Sequence, residues 1–165
     1  MADTEKIITK DQAFSRMARI CSQKECCTFD IRQKLLRLKF YEEAADEIIT
    51  KLKKEKYIDE NRFTRSFIND KLRFNKWGKT KIVTALRQKR IPSEIIDEAF
   101  SEFSDESVNQ SLQPMLEKKW KTVKGKTEYE KSTKLIRFAL GRGFAMKDIL
   151  RCVHTMNLTS PEDEF

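Results

Sequence analysis

The chain has 165 residues, 36% of them charged, and a formal net charge of +8 at pH 7. Four glycines and three prolines argue against a turn-rich all-β fold, while the strong helix formers Lys, Arg, Glu and Leu fill most of the chain. The basic balance implies an acidic partner: nucleic acid, an anionic membrane or an acidic protein surface.

No apolar run approaches the roughly 20 residues that a membrane span needs. The N-terminal stretch MADTEKIITK has no apolar core of signal-peptide type. These features predict a cytoplasmic protein with no membrane partner. In a reducing compartment, Cys21, Cys26, Cys27 and Cys152 are expected as free thiols rather than a disulfide framework.

Residues 1 to about 9 form a polar lead-in. A helix is predicted from Asp11 to Ser22, with Phe14, Met17 and Ala18 on one face. Thr28 or Asp30 can cap the next helix, which carries Ile31, Leu35 and Leu38. Phe40 and Tyr41 sit at a corner, and a helix from about Glu42 to Lys56 carries Ala45, Ile49 and Leu52. Asp59 caps a further helix whose apolar face is Phe63, Phe67 and Phe74. Gly78 breaks it. The next run carries Ile82 and Leu86, and Pro92 suits the first position of a helix with Ile96 and Phe100. A run from Glu106 to Lys124 carries Leu112, Leu116 and Trp120, with Pro114 as its kink or its true start. After the break at Lys124–Lys126, a helix from Glu128 to Leu140 carries Leu135 and Ala139. Gly141, Arg142 and Gly143 form a turn at a helix end, with residues that permit the left-handed conformation, and a helix from Ala145 to Met156 carries Ile149 and Val153.

The three thirds superimpose. An offset of 51 takes Ile31, Leu35, Phe40, Ala45 and Ile49 to Ile82, Leu86, Ile91, Ile96 and Phe100, and a further 53 reaches Leu135, Ala139, Phe144, Ile149 and Val153. Every one of these positions is apolar. Repeats of this length predict an all-α fold of three tandem three-helix repeats in an elongated array. The expected units are 10–56, 57–103 and 104–156, followed by a mobile acidic tail at 157–165.

Charge is distributed unevenly over these repeats. From Arg62 through Arg90 there are ten cations and one acid, Asp70; from Pro92 to Ser107 there are only acids. The stretch YIDENRFTRSF, followed by WGKTKIVTALRQKRI and later by LIRFALGRGF, resembles the RecX regulatory proteins of bacteria. The resemblance covers roughly Asp11 to Met156. It implies a fold of tandem three-helix repeats and a partner, the RecA nucleoprotein filament, in whose helical groove members of the family lie. It also implies restraint of the ATPase, strand-exchange and co-protease activities of RecA, and so a place in recombination, DNA repair and the SOS response. Arg90 stands where the family usually has glycine, and Gly141 where it usually has a second basic residue.

Little points to an enzyme. His154 is a lone histidine beside Leu150 and Val153, the glycines form no phosphate loop, and the cysteines lack metal-type spacing. No cofactor and no metal are expected, and the protein is expected to be a monomer. The candidate contact residues are Lys71, Arg73, Lys76, Trp77, Lys79, Lys81, Arg87, Lys89 and Arg90, because cations neutralise phosphate and an aromatic among them stacks on bases or buries at an interface. The plainer alternative is a solvated face with Trp77 folded onto the core. The lysine-only block Lys118, Lys119, Lys121, Lys124 and Lys126 has the character of solubilising charge. A helix-turn-helix at 78–100 is disfavoured as a base reader, because its second helix carries Glu94, Asp97 and Glu98. Two functions remain: a regulator that binds the RecA filament, or a general basic protein that binds single- or double-stranded DNA.

Overall fold

The structure, a computed structural model, describes residues 7–158. The predicted acidic tail from residue 159 onward lies outside the described residues. Among those described there are ten α-helices and no strand. The first group is α1 (Lys10–Gln23), α2 (Thr28–Arg37) and α3 (Glu42–Lys54). The second is α4 (Glu60–Arg73), α5 (Lys79–Gln88) and α6 (Ser93–Ser101). The third is α7 (Asp105–Asn109), α8 (Leu112–Trp120), α9 (Glu128–Gly141) and α10 (Met146–Thr155).

Side-chain caps fix several of the starts. Thr9 and Gln12 form a capping box for α1, Asp59 accepts from the Arg62 amide at 3.0 Å, and Thr127 accepts from the Glu130 amide at 3.1 Å. At α2 the cap is neither Thr28 nor Asp30 but Cys27, whose Sγ accepts from the Asp30 amide at 3.5 Å. Thr28 is instead taken by the second group: both its amide and its hydroxyl donate to Glu60 Oε1. The long run expected from Glu106 is split at Gln110–Ser111, so Pro114 stands in the first turn of α8. There its missing N–H costs no helical hydrogen bond. Pro92 caps α6 from the position just before its first helical residue.

Three apolar cores follow, one per group. Of the fifteen repeated positions, fourteen are buried; Phe40 is partly buried against the first core. The closest helix pairs lie within a group: α1 and α2 each against α3, α4 against α5 and α6, and α9 with α10 against α8. Each group supplies its own core, as a stacked helical array requires. The seams nevertheless exchange residues: Cys27 and Phe29 of the first group, and Val108 of α7, pack into the second core.

The corner inside each group is one device used three times. Lys39, Arg90 and Gly143, at offsets of 51 and 53, all have positive φ (70°, 58° and 96°). The following amide closes back onto the helix in each case: Phe40 to Leu35 O, Ile91 to Leu86 O and Phe144 to Ala139 O, at 3.1–3.3 Å. This is the left-handed helix terminus that glycine favours. Arg90 adopts it without glycine, so the corner is as tight as its two counterparts.

Candidate filament-binding face

Two seams join the groups, and they are built differently. Between the first and second groups the ties are mostly side chains. Arg62 Nε donates to Glu25 Oε1 at 2.6 Å, and Lys89 Nζ donates to both Asp30 oxygens at 2.8 and 2.9 Å. The Glu25 carboxylate beside it holds the Arg62 guanidinium above its ordinary pKa. Arg90 lies over the Phe29 ring at 5.6 Å.

Between the second and third groups the ties run backbone to backbone. The Gly78 amide donates to Arg142 O at 2.7 Å, and the Thr80 amide donates to Gly143 O at 3.0 Å. A Cβ on Gly78 would stand 2.5 Å from Gly143 O and Phe144 N. A Cβ on Gly143 would stand 2.5 Å from Lys81. Neither glycine has room for a side chain, which explains both glycine motifs at once: the Trp-Gly pair and the Gly-Arg-Gly-Phe turn are two halves of one joint.

The nine predicted contact residues therefore divide. Lys71 and Lys81 sit over Trp77, at 4.7 and 4.5 Å from its ring centroid, and Lys71 is also over Phe67 at 5.2 Å. Trp77 is partly buried against the second core, and the paired lysines screen its ring. Lys79 lies over Phe100 at 5.1 Å, with its charge exposed. Arg87 is exposed on α5. Lys89 and Arg90 stand at the opposite end of α5, in the first seam, where Asp30 already neutralises Lys89.

Arg73 and Lys76 point the other way, into a groove of about 830 Å³ between the second and third groups. Its other cations are Lys118, Lys119 and Arg142, and none of its lining residues is acidic. Lys119 and Arg142 both lie over the Phe138 ring, at 4.8 and 5.1 Å. Phe74, expected on the apolar face of α4, is 73% exposed. The helix ends at Arg73, and the buried stripe is completed by Ile68 and Leu72; Phe74 caps the helix and lines this groove instead. Arg142, Lys118, Lys119 and Phe138 were not among the predicted contacts. The Gly-Arg-Gly-Phe turn carried a signal for Arg142; the lysines belong to the block whose character was solubilising.

His154 is exposed rather than packed, and Asp97 and Glu98 are solvated. Among the described residues no three His, Cys, Asp or Glu side chains are grouped to hold a metal, and no helix is long and apolar enough to cross a membrane.

Comparison with known proteins places this geometry. Residues 59–99 match the model of the second three-helix domain of RecX, and residues 105–153 match that of the third. The regulatory protein RecX of Chlorobium phaeobacteroides is 33% identical over 144 residues, which span 87% of this chain and 90% of that protein. The RecX proteins of Clostridium acetobutylicum (33% identical, 73% of this chain) and Clostridium beijerinckii (36%, 70% of this chain) are longer, and the chain spans 57% and 54% of them. A crystal structure of regulatory protein RecX shares the fold with a TM-score of 0.79 at 24% identity, covering 87% of this chain and 72% of that one. The RecX structure from Lactobacillus salivarius does so at 0.71 and 18%, covering 90% and 96%. By motif, repeat and relatives, the chain belongs to the RecX family of regulatory proteins.

Proposed function

We propose that this chain binds the RecA–DNA filament and restrains RecA's ATPase, strand-exchange and co-protease activities, acting as a binding protein rather than an enzyme. Membership of the family supports the choice of partner. The observation that carries the site is the acid-free groove at the second seam, where Arg73, Lys76, Lys118, Lys119 and Arg142 converge beside exposed Phe74. A filament of protein with DNA at its axis presents both phosphate and acidic side chains. Cations of this density speed and orient docking on such a surface. The solvated acids of α6 leave room for basic patches on the same partner. A rigid seam suits the task, because two groups held backbone to backbone can span neighbouring subunits at little further ordering cost. The same reading divides the chain at 10–56, 57–103 and 104–156, and takes the protein as a cytoplasmic monomer.

The second reading is a general nucleic-acid binder, favoured by the lack of any acid in the groove. One experiment separates the two. RecA's DNA-dependent ATPase is titrated with the protein, and binding to RecA–single-stranded DNA filaments is compared with binding to bare single-stranded DNA. Inhibition at concentrations that leave bare DNA unbound supports the regulator; equal affinity for both with no inhibition supports the general binder.

A further inference from the structure

The cysteines are not used by the proposed function, yet three of them crowd the first seam. Cys21 lies in the last turn of α1, and Cys26 lies in the linker that leads to α2. Both pack in the first core, 7% and 4% exposed, close enough for each thiol to shift the other's titration, and the Cys26 thiol donates to Lys24 O at 3.6 Å. Cys26 also forms part of the wall of a groove of about 530 Å³ between the first and second groups. That groove carries Lys24, Lys34, Arg37 and Lys89, with Glu25 and Asp30 the acids among them. Both acids pair across the seam, with Arg62 and Lys89, and Lys24, Lys34 and Arg37 leave the groove lining net positive.

We propose that Cys26 is a peroxide-reactive thiol opening on this cationic groove, with Cys21 as the partner that resolves it to an intramolecular disulfide. Reactive thiols are those held as thiolate near positive charge, with a route to solvent and a second thiol in reach. Cys26 stands in the groove wall among those cations, with Cys21 in the same core behind it. The neighbouring Cys21 thiol, with Lys24 and Lys34, outweighs burial and Asp30 and brings the Cys26 thiol down to about 7. The same proximity, with burial and Glu25, pushes Cys21 upward, so it remains the protonated member. Cys27 is the contrast. Its Sγ is spent as the α2 cap, it is fully buried, and burial pushes it up to about 12.

The chemistry balances with a hydroperoxide as oxidant. The Cys26 thiolate attacks one oxygen, an S–O bond forms as the O–O bond breaks, and the departing alkoxide or hydroxide takes a proton. Cys21 sulfur then attacks Cys26 sulfur. The S–S bond forms, the S–O bond breaks, and the leaving hydroxide departs with the Cys21 proton as water. Two thiols lose two electrons and one peroxide gains them.

The test uses the whole reduced protein and one equivalent of hydrogen peroxide, read by intact mass and peptide mapping. The expected product has lost two hydrogens, retains two of its four thiols and carries a Cys21–Cys26 crosslink. Cys21→Ala should stop the reaction at a sulfenic acid on Cys26, trapped by dimedone, and Cys152→Ala should leave the product unchanged. The mapping on the unaltered protein stands even if a cysteine variant fails to fold. Four intact thiols after treatment, or a product whose first modification is at half-buried Cys152, would overturn the proposal.

Discussion

Gly78→Ala is the sharpest probe of the seam that frames the groove. Gly78 precedes α5 with φ −88° and ψ 169°, which alanine adopts freely. Any effect is therefore steric rather than conformational. The new methyl would meet Gly143 and Phe144 backbone atoms, with Gly143 O and Phe144 N at 2.5 Å, and backbone cannot swing aside as a side chain can. Overpacking of this kind costs about 1–3 kcal/mol. If the joint opens to relieve it, the hydrogen bonds from Gly78 and Thr80 are lost, at about 0.5–1.5 kcal/mol each. Either way the expected cost is about 1–3 kcal/mol, which lowers the melting temperature by roughly 2 °C or more in a domain of this size. The amides of Gly78 and Thr80 should lose hydrogen-exchange protection, while the Ile91 amide, inside the second group, keeps it. Gly141→Ala is the control: its Cβ would meet nothing within 4 Å at the end of α9, and alanine is the better helix former. Equal melting of Gly78→Ala and the native protein, with the two amides still protected, would refute the backbone joint.

Three further outcomes are expected. Leu86→Ala, at a fully buried repeat position, should cost about 2–5 kcal/mol by chemical denaturation; Lys76→Ala, exposed in the groove, should stay within about 0.5 kcal/mol. Lys39→Gly should stabilise by about 1 kcal/mol, because Lys39 is exposed and holds φ 70°; an unchanged or lower midpoint would contradict the left-handed corner. Alkylation of Cys26 by iodoacetamide should accelerate as pH rises through about 7, since its folded pKa is lowered and the thiolate is the nucleophile; the field at that sulfur comes from Cys21, Lys24, Asp30 and Lys34. A rate that climbs only toward pH 9, the ordinary thiol range, would contradict it.

The helices and cores were legible because the signal is periodic: apolar residues at helical spacing must be buried, and a 51- or 53-residue offset repeats the burial. The breaks between helices were less so. Phe74 fits the face of α4 by spacing, but spacing carries no information on where the helix stops, and the helix stops one residue earlier. Cys27 was missed as a cap because sulfur is a weak acceptor beside two ordinary cap residues, and Thr28 was drawn off by Glu60, distant in sequence. The basic face was found as a run along α4 and α5, yet a run is one-dimensional. Folding sends Lys89 and Arg90 to one seam, sends Arg73 and Lys76 to the other, and completes the groove with Lys118, Lys119 and Arg142 from another repeat. The two glycine motifs were each visible; that they touch depends on how the groups stack.

The central claim is that the groove at the second seam engages a RecA–DNA filament. The most direct measurement is equilibrium binding of the native protein and of Arg73→Glu/Lys76→Glu/Lys118→Glu to RecA–single-stranded DNA filaments and to bare single-stranded DNA, across a salt series. None of the three positions is in the core, so the variant should keep its helical content. Filament affinity should fall roughly tenfold or more, further than affinity for bare DNA, with matching loss of ATPase inhibition. Where a cation meets phosphate, its loss should also lower the salt slope by about 1. Equal losses on filament and bare DNA would make the groove a general nucleic-acid site, and unchanged filament binding with unchanged inhibition would contradict the account.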